Sequence, residues 1–435
     1  MNKQFLQRTT RDFLKRGGQL SFAIFAAGIS GLIFSVALAT TSTQAAAAHG
    51  MGWFLCAAFS VPLSGFRIVV VSQRRKQSRP FRIKGMAEAF YLLCGSLLLL
   101  FGVTSTTILL ISDDLFSLLP AYLVFCAIGF PITGLNALMG GYLVRAQMEN
   151  TQLAVTFQAI LLQLTAASAL QFLPANPALL LSFVGMISLT TQLYISLRYC
   201  IALRITNHLR SLLQPTGSWR AGYAISGQAL ASGSDIIVLS STFWLVLTAL
   251  RATDPVAATY TSIGFTIVRT FIVPLKSFGV VAGRMLRSLD RTENLEATER
   301  SMFMAIVSIC AMLSLTLLGI AAWNAGLSPF STSCFWTTSG PLILCAIAIQ
   351  FLIEPCAAFR AAVMKVTMSP FQVLLALAGS LWGFVLPIVG GLWFTGRLTL
   401  EATWLTLLFG RLLFACLLQL QASNGLLAPR TLPDR

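Results

Sequence analysis

Three ionisable residues stand well inside apolar runs of this chain: Asp235, Arg269 and Glu354. A charge deep in hydrocarbon is expensive, so each needs a partner or a task. Asp235 lies 15 residues after Arg220 and 16 before Arg251, near the centre of its run. Gln228, Ser232, Asp235 and Thr242 recur at spacings of 4, 3 and 7, forming one polar stripe of a helix. Two readings fit Asp235: a cation or proton site, or an aspartate structurally paired with an arginine. Glu354 has Gln350 one turn before it and Pro355 immediately after. The proline ring removes one backbone hydrogen bond and disturbs the carbonyl of Phe351. A kink beside an acid frees carbonyl oxygen for an ion. The alternative is a kinked helix with a hydrogen-bonded acid. Arg269 lies midway between Pro255 and Gly283. It suits internal pairing with Asp235 or Glu354, binding of an anionic substrate, or fixing of helix register.

Arg67, Lys276, Arg360 and Arg411 are also inside apolar runs. Long basic side chains near a helix end reach the headgroups. If these arginines line a cavity instead, the cavity is basic and suits phosphate or diphosphate. Glu88 begins its run and reads as interfacial. No Cys/His spacing of a metal site occurs, and the two histidines, His49 and His208, are isolated. The nine cysteines fall mostly in apolar runs and read as small hydrophobes. No metal, cofactor or enzyme active site is expected. Neither a phosphate-binding glycine loop nor a nucleophile elbow occurs, so ATP is not the expected energy source.

These residues need helices to hold them. The chain is 56% hydrophobic and 10% charged, against roughly 25% charged in a soluble protein. Its apolar runs lie at 18–40, 46–73, 85–111, 118–145, 152–173, 178–203, 219–250, 255–283, 302–323, 335–365, 370–395 and 400–421. Each is long enough to cross about 30 Å of hydrocarbon. They are too long and too continuously apolar for barrel strands, so the expected class is all-α, with about twelve transmembrane helices. Residues 1–17 read as a basic interfacial helix with Phe5, Leu6, Phe13 and Leu14 on its apolar side. The basic segment and first apolar run are both long for a cleaved signal peptide.

The net charge of +16 does not call for nucleic acid. Of 30 Lys and Arg, 23 fall in the termini and alternate loops on one side, while only Arg251 and Arg397 occupy the other loops. That asymmetry predicts cytoplasmic termini in a cell inner membrane, which in turn requires an even number of spans. The charged loop at 204–218 falls at the midpoint, predicting an N-lobe at 18–203, a C-lobe at 219–421 and a tail at 422–435. RGGQLSFAIFAAGISG at 16–31 overlays RAGYAISGQALASGSD at 220–235 without gaps. Spans two and eight carry Pro62 and Pro274, and spans four and ten carry Pro131 and Pro355, all expected helix kinks. The two halves therefore read as a pseudo-symmetric pair of six-helix lobes.

Several segments resemble the MATE-type multidrug and toxin extrusion transporters, within the superfamily that also holds lipid-linked oligosaccharide flippases. AAFSVPLSGFRIVVVSQ at 57–73 looks like the family's second helix, and AYLVFCAIGFPITGLNALMGGYLVRAQ at 121–147 like its fourth. FIVPLKSFGVVAGRM at 271–285 resembles the eighth, IQFLIEPCAAFRAAVMKV at 349–366 the tenth, and GFVLP at 383–387 the proline-bearing part of the eleventh. The resemblance implies a cation site in the C-terminal lobe, with Glu354 at the helix-ten acid and Asp235 within about two residues of the helix-seven acid. Two departures stand beside it. Span one carries no acid, with Gly31 at the repeat position of Asp235. Arg269 stands where an apolar residue is usual, and a fixed cation there would replace a bound sodium ion or lower the pKa of the acid it pairs with. The expected function is export of a small organic molecule, coupled to protons or sodium through Asp235 and Glu354, by a monomer in the bilayer. Gln228, Gln350, Arg67, Arg269 and Arg360 are the expected cavity or charge-pairing residues. The alternatives are a flippase for polyprenyl-diphosphate-linked sugars and a non-transporting membrane scaffold.

Overall fold

The computed structural model describes residues 3–72, 83–111, 118–204, 213–288, 294–326 and 334–427, with side chains omitted at some helical positions, Arg269 among them. Most of the expected basic loop at 74–84, most of the 204–218 linker, Asp113, Asp114 and the end of the tail lie outside that description. Every regular element among the described residues is helical. This follows from the sequence, because a segment in lipid must satisfy its own backbone.

The helices are α1 (Lys3–Thr41), α2 (Thr43–Ser60), α3 (Gly65–Ser72), α4 (Met86–Ile111), α5 (Pro120–Arg145), α6 (Glu149–Ala169) and α7 (Pro177–Ala202). They continue as α8 (Trp219–Gly233), α9 (Asp235–Thr253), α10 (Pro255–Ser288), α11 (Asn294–Gly326), α12 (Cys334–Ile353) and α13 (Arg360–Thr367). The last are α14 (Pro370–Ser380), α15 (Leu386–Phe394) and α16 (Leu400–Leu427). All twelve expected segments are helical, giving an all-α polytopic membrane fold. Among the described residues nine helical segments are long and apolar enough to span, and a tenth is bent by 42° between Pro341–Ile353 and Pro355–Thr367. The segments at 18–40 and 255–283 lie in α1 and α10. Span seven, expected as one helix, is α8 and α9 meeting at Ser234.

Two compact units form: Gly18–Ser241, and Met1–Gly17 with Thr242–Arg435. In the first, α8 packs against α3, α4 and the 3-10 turn Val61–Ser64 that contains Pro62. The α3–α8 approach is backbone on backbone: a methyl group at Gly65 would fall 1.8 Å from the carbonyl oxygen of Ala229. Glu88, expected at an interface, is wholly buried. Its Oε1 accepts from the N–H of Thr216 at 2.5 Å, the hydroxyl of Thr216 at 2.9 Å and the N–H of Ser218 at 3.0 Å. One carboxylate thus ties the entry of α8 to the start of α4. In the second unit, Phe13 of α1 is fully buried, with ring centroids 5.6 Å from Phe278 and 6.2 Å from Phe359. Pro131 and Pro274 lie inside continuous helices, α5 and α10.

Gly65→Ala should destabilise the protein by about 1–3 kcal/mol, because the clash is with backbone that cannot rotate away. Gly95→Ala, where nothing lies within 4 Å, should be neutral or stabilising by up to about 1 kcal/mol. Thermal unfolding of both variants in detergent checks the contrast.

Candidate functional site: a buried ion pair on a bent helix

Span ten is built to bend. Pro355 has no N–H to continue the ladder of α12, and its ring crowds the preceding turn. The chain answers with a π turn, Pro355–Phe359. The carbonyl of Glu354 accepts from Phe359 N–H at 3.3 Å, five residues on, and from Ala357 N–H at 3.2 Å. Single π turns of this kind are frequent at functional positions.

Glu354 is at the corner of that bend. Arg411, from the middle of α16, grips its carboxylate with two parallel hydrogen bonds: Nε to Oε1 at 2.7 Å and Nη2 to Oε2 at 2.7 Å. The side chains of Arg411 and Glu354 are 7% and 0% exposed. Gln350 Nε2 adds a third bond to Oε1 at 3.1 Å. The guanidinium carbon stands 5.2 Å from the ring centre of Phe414, one turn along α16, close enough for a cation–π contribution. The backbone next to Arg411 is closely packed. A second π turn, Leu381–Val385, joins α14 to α15, and a methyl group at Gly410 would fall 2.2 Å from Val385 Cγ2. Planar bidentate pairing is the strong form of a charge-assisted bond.

The remaining sequence candidates divide between the two units. Asp235 is 8% exposed, in the first turn of α9 and within the unit Gly18–Ser241. The stripe expected around it is interrupted at Ser234: Ser232 and Thr242 are buried, while Gln228 is exposed. Arg67, on α3, is partly buried and lies over Gly140 of α5 within the electrostatic reach of Tyr199. Its Nε is buried with no hydrogen-bond partner among the described residues. Arg360 Nη1 donates to Gln419 Oε1 on α16. The side chain of Arg269 lies outside the description. Among the described residues no set of three His, Cys, Asp or Glu is arranged for a metal ion.

The eukaryotic MATE transporter AtDTX14 superposes with a TM-score of 0.77 at 13% identity, covering 98% of this chain and 97% of that one. This is the MATE transporter fold. An outward-facing multidrug resistance MATE family transporter of the MOP superfamily matches at TM-score 0.73 and 12% identity over 98% of each chain. A MOP superfamily transporter from Pyrococcus furiosus, described as having a binding pocket of reverse polarity, matches at 0.70 and 13% over 96% of each chain. No protein-family model and no curated protein sequence matches. The motif resemblance therefore holds at the level of fold, across nearly the whole chain.

The partner that sequence reasoning missed is Arg411, for which headgroup contact and a basic cavity were the two readings. The signal was present: Arg411 lies near the middle of the 400–421 run, as deep as Arg269 in its own. Removing either member of a buried pair leaves an uncompensated charge and costs about 3–5 kcal/mol. Glu354→Leu and Arg411→Met should each lower thermal stability by that order, and the double variant should recover most of the loss. A double-mutant cycle on detergent-purified protein measures the coupling, and additive losses would show that the pair does not form.

Proposed function

We propose that the chain is a secondary transporter of the inner (plasma) membrane, with both termini cytoplasmic, acting as a monomer. It exports a small organic molecule by alternating access of two lobes, and Asp235 and Glu354 are its coupling groups. The MATE fold supports transport as the general activity. The observation that carries the coupling is the Glu354–Arg411 pair at the bend of span ten. Neutralising Glu354 by a proton removes the charge that holds Arg411 and so weakens one tie between α16 and the bent segment. An acid whose charge state is linked to helix geometry is what a gradient-driven device needs, since an ion shifts an equilibrium only by its differential affinity for the two states. Asp235, buried at the junction of α8 and α9, fills the corresponding role at the break in span seven.

One observation favours a second reading, a flippase for polyprenyl-diphosphate-linked sugar. Arg67 keeps a buried Nε without a hydrogen-bond partner among the described residues, and a guanidinium so placed suits a phosphate.

Reconstitution into vesicles under separate proton and sodium gradients tests these readings, with fluorescent organic cations and a fluorescent polyprenyl-diphosphate sugar as cargo. Export of organic cations driven by the proton gradient is expected. Asp235→Asn with Glu354→Gln should slow it at least about tenfold, equivalent to about 1.4 kcal/mol in the barrier. Export at the wild-type rate by that double variant would end the coupling role. Movement of the lipid cargo alone, lost in Arg67→Ala, would select the flippase. No movement of either by folded protein would point to a scaffold.

A further inference from the structure

A carboxylate buried in a membrane helix needs a counter-cation, and the structure shows where this one comes from. Both oxygens of Glu354 are engaged by Arg411, with Gln350 on the flank. The carboxylate is completely buried. No group of three His, Cys, Asp or Glu among the described residues gathers a metal shell here. The guanidinium is held by the carboxylate and lies 5.2 Å from the centre of the Phe414 ring, while Val385 packs closely on Gly410 next to Arg411 in the chain.

We infer that Arg411 is a tethered counter-cation that closes Glu354 to metal ions and leaves the proton as the ion it can exchange. A metal cation entering this site would have to displace a guanidinium that is covalently attached and makes two bonds of 2.7 Å. A proton needs no such vacancy. It adds to a carboxylate oxygen, neutralises Glu354 and leaves the positive charge on Arg411. Arg411 is therefore a specificity-determining residue: it selects which ion the bend in span ten can respond to. Replacing it by glutamine should convert the site. The carboxylate of Glu354, the amide oxygen of Gln350 after its amide rotates, and the new amide at 411 would then present oxygen ligands suited to a hard monovalent cation.

This inference deepens the coupling role proposed above, but its test needs no transport. The melting temperature of detergent-purified protein is measured in sodium chloride and in choline chloride, with radiolabelled sodium binding alongside. Wild type should melt at the same temperature in both salts and bind no sodium that depends on Glu354. Arg411→Gln should melt at least about 2 °C higher in about 100 mM sodium than in choline, the size of shift a weakly bound stabilising ion gives. It should also bind sodium, and Glu354→Gln added to it should abolish both effects. If Arg411→Gln is recovered only as aggregate in choline, sodium should restore a monodisperse protein. Sodium binding to wild type that disappears in Glu354→Gln overturns the inference. So does an Arg411→Gln protein whose stability or recovery is the same in the two salts. Transport that fails with these salt effects intact would count against the transport reading alone.

Discussion

Taking charge out of water governs this molecule more than any single packing contact. Moving a carboxylate or a guanidinium into a medium of low dielectric costs several kcal/mol per ion even after relaxation, and only close mutual pairing with full hydrogen bonding offsets it. Glu354 and Arg411 meet that condition, and the local backbone is shaped around it. Span ten bends at Pro355 so that Glu354 sits at the corner. Gly410 lacks a side chain, so the second π turn comes close to α16 beside Arg411. The Arg411 guanidinium carbon lies over the ring of Phe414, 5.2 Å from its centre. Each feature is modest alone; together they hold two buried charged groups 2.7 Å apart.

The same constraint works differently in the unit Gly18–Ser241. Glu88 also has no exposure, yet its Oε1 is satisfied by two N–H groups and a hydroxyl rather than by a cation. It works as a clasp, closing the chain segment before α8 onto α4. Close backbone contact then does the rest, with Gly65 against Ala229. Where small residues let helices approach, dispersion and backbone contact hold them without needing charge. One buried acid is thus tied to the chain that precedes a helix, and the other, at the corner of a bent span, to an arginine of α16.

Most of the fold was legible because the bilayer leaves few options. Twelve apolar runs became helical segments, since hydrophobic length is a strong signal, though the first and ninth lie in longer helices, Lys3–Thr41 and Asn294–Gly326. The sequence did not show that 219–250 breaks at Ser234 or that Pro355 and the 381–385 stretch form π turns. Apolar periodicity gives a helix its existence but not its internal hydrogen-bond register, which depends on what packs beside it. The site was half legible. The depth of Glu354, its neighbour Gln350 and the adjacent proline could all be read along the chain, and Gln350 does bond Glu354. The partner could not, because 57 residues separate Glu354 from Arg411. Two deep arginines, 269 and 411, were equally eligible by position, and choosing between them requires knowing which helices adjoin. The hydrogen-bond register at the corner was equally hidden: the carbonyl of Glu354 is used twice, by Ala357 and Phe359.

An internal counter-charge has a consequence for energetics that a diffusible ion does not. A bound ion contributes in proportion to the logarithm of its concentration, so a gradient across the membrane can do work through it. A side chain has the same effective concentration on both sides and carries no gradient. The Glu354–Arg411 pair therefore stabilises one arrangement of span ten by a fixed amount. Any directional drive must enter through a species that breaks the pair from outside. Among groups that act on a carboxylate whose oxygens are both occupied, the proton alone requires no room. The geometry thus joins two properties that sequence treats separately: a stable bend, and sensitivity of that bend to one ion.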